Sequence, residues 1–208
     1  MHNWLPSRDY HPDLSLARLM ALATLHRTVW RRVSELHEPD EGDDMWSMSC
    51  RAFIRCAHQL KRRSQGEWHW LTVTEAKKMQ LVLSIGVIPA RFYHGDVLED
   101  VPARYAQPSD TEKVARQGVL NFSDGIRGLV RLVTKTDSKG VPLNVTLVEY
   151  DEYSQQIINW FAIPEADSAE PGGVVEFPSP LPKPGVIQPK PSARPRTGRV
   201  KEQGDDAE

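Results

Sequence analysis

The residues best suited to chemistry in this sequence form a basic stretch that also holds aromatic side chains. Seven lysines and arginines but only two glutamates lie between Arg51 and Met79, and Trp68, His69 and Trp70 stand within that stretch. Cations neutralise phosphates, and exposed aromatic rings stack on bases. The combination predicts binding of DNA, RNA or another polyanion. The alternative is an ordinary solvated helix face followed by a core strand that buries both tryptophans.

The candidate contacts fall into two sets. The first combines one face of a predicted helix, the Lys-Arg-Arg run that follows it, both tryptophans and two arginines from a repeated Pro-Ala-Arg motif. Its members are Arg51, Arg55, His58, Lys61, Arg62, Arg63, Trp68, Trp70, Arg91 and Arg104. The second set lies in a Pro-rich C-terminal stretch whose composition is typical of a tethered basic arm. Its members are Lys183, Lys190, Arg194, Arg196, Arg199 and Lys201.

The repeated motif occurs at Ile88–Phe92 and again at Val101–Tyr105. A residue that precedes proline is biased toward extended backbone, so we expect two extended segments joined by a turn. Each segment would bury its aromatic residue and point its arginine away from the core. The two arginines would then hold a shared anion or pair with the acids between the motifs, which are Asp96, Glu99 and Asp100.

No catalytic or metal-binding set is complete in this sequence. The seven histidines are scattered and form neither an HExxH motif nor a set with paired C-x-x-C motifs, so no metal site is predicted. Cys56 and His58 are the nearest such pair, and residues two apart on a helix do not face each other. The sequence also lacks a P-loop, a Rossmann glycine pattern and a G-x-S-x-G motif. We therefore expect no cofactor and favour a non-enzymatic role.

Two short resemblances supply enzymatic alternatives. The run IGVIPARFYHG, residues 85–95, resembles the segment that follows the catalytic helix of transglutaminase-like cysteine enzymes, which implies Cys50 as the nucleophile. A thiol needs a base or a cationic neighbour to become a thiolate, and no histidine follows His94 to supply one.

The second resemblance concerns the end of the same run. FYHG is similar to the opening strand motif of some NAD-dependent ADP-ribosyltransferases. It implies a small transferase centred on His94, with Ser123, Glu149 and Glu152 following in order.

Composition points to a cytoplasmic protein. Two cysteines, Cys50 and Cys56, are too few for a disulfide framework, and they lie about 120° apart around one predicted helix. The N-terminal residues lack a signal-peptide pattern, and no run approaches 18 apolar residues, so no membrane partner is expected.

Apolar periodicity predicts several helices in the first half of the chain. One runs over Leu14–His37 with Asp13 as its N-cap, and a second runs over Met45–Arg63. A short strand is expected over residues 67–73. A third helix is expected over residues 74–85, closed by Gly86.

The second half predicts a hairpin between two helices. A short helix over residues 108–118 begins with a capping box of Ser109 and Glu112. The strands cover residues 128–136 and 141–150, with the turn at Asp137–Gly140 and an edge position for the second strand at its proline. A closing helix is expected over residues 151–162.

These elements predict an α+β fold, with two or three N-terminal helices packed on a small antiparallel sheet that contains the hairpin. The domain covers residues 1–164, and residues 165–208 form a disordered Pro-rich tail, first basic and then acidic. The favoured function is a non-enzymatic accessory protein of bacterial type that binds nucleic acid or docks on a nucleic-acid-processing complex. The alternative is a protein–protein adaptor whose segment KPGVIQPKP, residues 183–191, is bound as polyproline II.

Overall fold

The two long predicted helices are confirmed by the computed structural model, which describes residues 11–74, 81–117, 126 and 128–165. Helix α1 covers Leu16–Ser34, and helix α2 covers Met45–Ser64. Short 3₁₀ turns precede them at Pro12–Leu14 and Pro39–Glu41. Helix α2 begins with a capping box, because Asp44 accepts a hydrogen bond from the Ser47 amide while the Ser47 hydroxyl accepts one from the Asp44 amide.

The described strands form one six-stranded mixed sheet, and they are β1 (Leu71–Thr74), β2 (Val82–Ile85), β3 (Ile88–His94), β4 (Leu129–Thr136), β5 (Pro142–Tyr150) and β6 (Ile157–Ile163). The strands lie side by side in the sheet in the same order as in the sequence. Strands β3 and β4 are parallel, and every other neighbouring pair is antiparallel. The connection between the parallel strands carries α3 (Ala103–Ala106) and α4 (Asp110–Gln117). The α+β class is confirmed, but the expected small antiparallel sheet is larger and mixed.

Two of the expected helices are wrong. In the region of the third helix, Thr74 ends β1 and Val82–Ile85 forms β2, while residues 75–80 lie outside the described residues. The closing helix is replaced by a turn and β6. Trp160 and Phe161 pack against different hydrophobic clusters, as successive residues of a strand do. The apolar side chains of this segment therefore lie on both faces of the sheet and not on one side of a helix.

The predicted hairpin between β4 and β5 is confirmed. The Asp137 carboxylate shapes its turn by accepting the amides of Lys139 at 2.9 Å and Val141 at 2.8 Å. Pro142 opens β5 opposite Thr136, before the part of β5 that pairs with β6. Its missing N–H therefore costs no hydrogen bond to β6, although β5 is an inner strand for most of its length.

Asp13 ties the start of the chain to the sheet instead of capping α1, whose N-cap is Ser15. Its carboxylate accepts the amide of Val87 at 3.1 Å and pairs with Arg18 at 2.6 Å. Val87 and Gly86 form the two-residue turn between β2 and β3. Gly86 has φ +60°, and a Cβ there would lie 2.0 Å from the Asp13 carboxyl carbon. The turn therefore needs glycine both for its backbone and for the space.

One face of the sheet carries α1 and α2. Leu22 of α1 and Leu60 of α2 are fully buried in the same cluster as Leu132 of β4 and Leu147 of β5. Burying a leucine side chain contributes about 1.5–3 kcal/mol, so this shared layer is the main source of stability for the two helices.

The other face of the sheet lies against the β3–β4 connection. The predicted capping box of α4 is confirmed, since the Glu112 amide donates to the Ser109 hydroxyl at 3.2 Å and the Ser109 amide donates to Glu112 at 2.8 Å. The same Glu112 carboxylate lies 3.3 Å from Arg91 of β3 and 2.6 Å from Arg131 of β4. All three charged side chains are buried. Glu112 therefore fastens α4 to both parallel strands at once.

The expectation that the two Pro-Ala-Arg motifs form matching extended segments is wrong for the second copy. Residues Ala103–Ala106 form the short helix α3, although Tyr105 is buried as expected. The expectation that Arg91 points away from the core is also wrong. Side chains alternate along β3, so Phe92 points toward α1 and Arg91 points toward α4, where Glu112 neutralises it.

No helix among the described residues is both long enough and apolar enough to cross a membrane.

Replacing Glu112 with Gln should lower the free energy of unfolding by about 3–5 kcal/mol. The substitution removes the negative charge that neutralises two buried guanidinium groups. Urea denaturation followed by circular dichroism measures this change. Asp110→Asn is the matched control, since Asp110 lies on the same helix with a fully exposed side chain. The control should change stability by less than about 0.5 kcal/mol. Equal effects of the two substitutions would contradict the anchoring role of Glu112.

Candidate functional site

A groove between α1 and α2 forms a concave surface with a volume of about 900 Å³. Most of the residues that line it are exposed or half-buried, so the groove opens to solvent, although Val29 belongs to the buried core. Apolar side chains form much of its lining, and they are Met20, Ala21, Leu25, Val29, Ile54 and Trp68. The volume is within the range of roughly 300–1,000 Å³ that is usual for ligand sites.

The charged side chains that line the groove are four arginines. Arg32 comes from α1, whereas Arg55, Arg62 and Arg63 come from α2, and His58 of α2 also lines the groove. No aspartate or glutamate belongs to the described lining of the groove. Such a surface concentrates positive potential over an apolar floor, which suits a ligand that carries both negative charge and apolar or aromatic groups.

Three of these arginines have unused hydrogen-bonding capacity. Within the part of the chain that the structure describes, Arg32, Arg55 and Arg62 form neither a salt bridge nor a side-chain hydrogen bond. Arg63 differs, because its guanidinium bonds to Glu67 and lies over the ring of Trp68. The groove therefore presents three free guanidinium groups and one that is already partnered.

The structure places Arg51 outside the groove. Its guanidinium pairs with Asp43 at 2.5 Å and donates to the Leu36 carbonyl at 3.3 Å. This pairing holds the start of α2 to the end of α1, so Arg51 has a structural partner. Lys61 is exposed on α2 and also has a partner, and it does not line the groove.

Trp68 and Trp70 are half-buried and stack on each other, with ring centroids 5.2 Å apart. Arg63 lies 5.6 Å from the Trp68 ring, and Arg18 lies 5.5 Å from the Trp70 ring. The four side chains make an Arg-Trp-Trp-Arg cluster. Each ring already has a ring partner and a cation partner, so the cluster is better suited to shaping one end of the groove than to stacking freely on bases.

The remaining first-set candidates, Arg91 and Arg104, do not join the groove. Arg91 is buried against Glu112, and Arg104 is exposed on α3 with its guanidinium 4.9 Å from the Tyr105 ring. The expected pairing of these arginines with the acids between the two motifs is also wrong for Asp96. That carboxylate pairs with Lys135 at 2.5 Å instead.

The second set of candidates, from Lys183 to Lys201, lies outside the described residues, and the basic-arm hypothesis stays a prediction.

Sequence reasoning missed two arginines of α1. Arg32 lines the groove, and Arg18 completes the tryptophan cluster. The helical spacing of α1 contained the signal for Arg32, which lies about 140° around the axis from the buried Leu19, but not for Arg18, which lies one turn before the buried Leu22. Arg27 of α1 is buried and donates to the Pro164 and Ile163 carbonyls at 3.0 and 2.5 Å.

The residues of the transferase alternative are not brought together. His94 ends β3, whereas Glu149 of β5 is level with Ala90, four residues back along the strands, which is about 13 Å. Glu149 is buried, where it accepts the Gly128 amide at 2.7 Å. Ser123 lies outside the described residues.

The cysteines of α2 are both free. Burial raises the pKa of the Cys56 thiol, which keeps it protonated and inert. Cys50 is half-buried on the same helix. Among the described residues, no group of three or more His, Cys, Asp and Glu side chains is placed to hold a metal ion.

Comparison with known proteins returned no match to any protein-family model, any curated protein or any solved structure.

A buried histidine, His26, and a half-buried one, His94, lie between α1 and the sheet. His26 stacks on Phe92 with ring centroids 4.2 Å apart and shares a 2.7 Å hydrogen bond with Thr134. Burial lowers the pKa of His26 to about 3, and nearby His94 acts in the same direction. Burial also lowers the pKa of His94, which bonds to Thr136 at 2.8 Å. Both rings are therefore neutral structural groups at pH 7.

The stability of the protein should fall as the pH drops below about 6.5, the value at which an unfolded histidine titrates. His26 of the unfolded chain then binds a proton, whereas His26 of the native protein stays neutral. His26 alone therefore lowers the free energy of unfolding by about 1.4 kcal/mol per pH unit. Denaturation at pH 6 and pH 5 measures this slope. His26→Phe should reduce the slope by about that amount. An unaltered slope in His26→Phe would show that His26 is not the group responsible.

Proposed function

We propose that this chain is a non-enzymatic accessory protein that binds single-stranded nucleic acid in the groove between α1 and α2, alone or within a nucleic-acid-processing complex. The observation that carries the proposal is the charge of the groove. Four arginines and a histidine line it, and no carboxylate belongs to its described lining. Phosphate groups are the polyanion that such a surface neutralises most directly.

The shape of the groove favours a single strand over a duplex. Arg55 and Arg62 stand two turns apart on α2, about 10 Å along its axis, and Arg32 belongs to the opposite wall. These cations lie at the edge of a concave, mostly apolar floor. A single strand can direct its unpaired bases into such a floor while its phosphates meet the arginines. A duplex keeps its bases stacked inside and would meet only the rim.

Two further features support the proposal. Both cysteines are free, which suits a reducing cytoplasm. The sequence from Lys183 to Lys201 adds six cations and no acid, so this arm would supply further phosphate contacts outside the groove. The adaptor alternative, in which residues 183–191 are themselves the ligand, also remains a prediction from sequence.

Fluorescence anisotropy with a labelled single-stranded oligonucleotide tests the proposal. Three phosphate contacts by Arg32, Arg55 and Arg62 should account for a loss of about 20-fold in affinity between 50 and 200 mM salt, and this share of the salt dependence should disappear in the groove variant, which replaces all three with Gln. Replacing all three arginines with Gln should weaken binding by roughly 100-fold or more at 50 mM salt. The three side chains are unpaired among the described residues, so the variant should keep its fold.

The matched control replaces three exposed cations that do not line the groove, Arg104, Lys113 and Lys139, with Gln. The control has the same net charge as the groove variant and should bind nearly as tightly as the original chain. Equal losses in the two variants would show that binding follows overall charge rather than the groove. Tighter binding of a duplex than of a single strand would contradict the proposed substrate class.

A further inference from the structure

The described chain ends beside the groove. Glu165, the last described residue, lies 3.2 Å from Arg31 and 3.6 Å from Arg27, both on α1. Arg31 lies about 20° around the helix axis from Thr24, which lines the groove. The residues that follow Glu165 therefore leave the described part of the protein at the wall of the groove that α1 forms.

The sequence at this exit complements the groove. Residues 165–177 read EADSAEPGGVVEF, with four carboxylates, no lysine or arginine, and three large apolar side chains at the C-terminal end. The groove has the opposite charge and an apolar floor. Negative and apolar groups thus occur together in one segment, as cationic and apolar groups do in the groove.

The segment is also long enough to fill the groove. Twelve residues beyond Glu165 span up to about 40 Å when extended. The lining residues of α1, from Met20 to Arg32, extend about 18 Å along its axis. Because the segment is tethered at the groove wall, its effective concentration there is on the order of millimolar, so even a weak interaction would be populated.

We propose that residues 165–177 of this chain occupy the α1–α2 groove, with their carboxylates on its arginines and Val174, Val175 and Phe177 on its apolar floor. A nucleic acid must then displace this segment before it can bind. The docking itself stands on the structure and the sequence, whereas the competition rests on the proposed function. The occupant is the chain's own segment rather than a second copy, because Glu165 already brings it to the site.

Photo-crosslinking of the full chain tests the docking without any nucleic acid. With p-benzoylphenylalanine at position 177, irradiation should crosslink this position to residues 20–32 or 54–63 of the same molecule, as identified by mass spectrometry. The same probe at position 186, outside the acidic segment, should give no dominant crosslink to those peptides. Crosslinks to other surfaces, crosslinks between two copies, or none would each overturn the docking.

Oligonucleotide binding by the full chain tests the competition. Neutralising the segment with Asp167→Asn, Glu170→Gln and Glu176→Gln should raise affinity roughly threefold or more, because a tethered competitor is weakened. Asp205→Asn, Asp206→Asn and Glu208→Gln remove the same charge at the end of the chain and should have a smaller effect. Equal gains in the two variants would overturn the competition.

The two experiments separate the two hypotheses. Groove crosslinks in a protein that binds no oligonucleotide, even with the acidic segment neutralised, would support the docking and overturn the proposed function. Oligonucleotide binding without groove crosslinks would overturn the docking and leave the proposed function standing.

Discussion

The shared contact of Glu112 with Arg91 and Arg131 is the constraint on which this fold depends. Antiparallel neighbours are joined by short turns, but the parallel pair β3 and β4 needs a crossover that must be fixed to the sheet. One carboxylate on α4 does this by neutralising a buried guanidinium from each strand. The cluster holds two cations and one anion, and among the described residues Arg91 Nε and Nη2 and Arg131 Nη2 have no hydrogen-bond partner. Loss of Glu112 is therefore costly.

The placement of this crossover determines which face of the sheet the two long helices cover. With the β3–β4 connection on one face of the sheet, α1 and α2 pack on the other and bury their apolar sides there. Their outer sides meet at the groove, where Arg32, Arg55 and Arg62 have no described partner. The cations beside them serve the fold, since Arg51 and Arg63 are engaged by Asp43 and Glu67. The proposed function and the stability of the fold thus use different arginines.

Local features of the sequence were predictable, and long-range ones were not. The two long helices, the β4–β5 hairpin and the Ser109–Glu112 capping box depend on neighbours in sequence. Strands β2 and β6 were misread because short apolar runs fit helix and strand alike, and only pairing with neighbouring strands decides between them. The burial of Arg91 depends on Glu112, 21 residues away. The groove could not be read from α2 alone, because Arg32 joins it only through the packing of α1.

The central claim is that a nucleic acid lies in the groove between α1 and α2. Photo-crosslinking of a single-stranded oligonucleotide containing 5-iodouracil to the full chain, followed by mass spectrometry, tests it most directly. The account predicts crosslinked peptides from α1 and α2 that include residues lining the groove, with Trp68 the nearest aromatic acceptor. Crosslinks confined to the sheet edges or to the β3–β4 connection would contradict it.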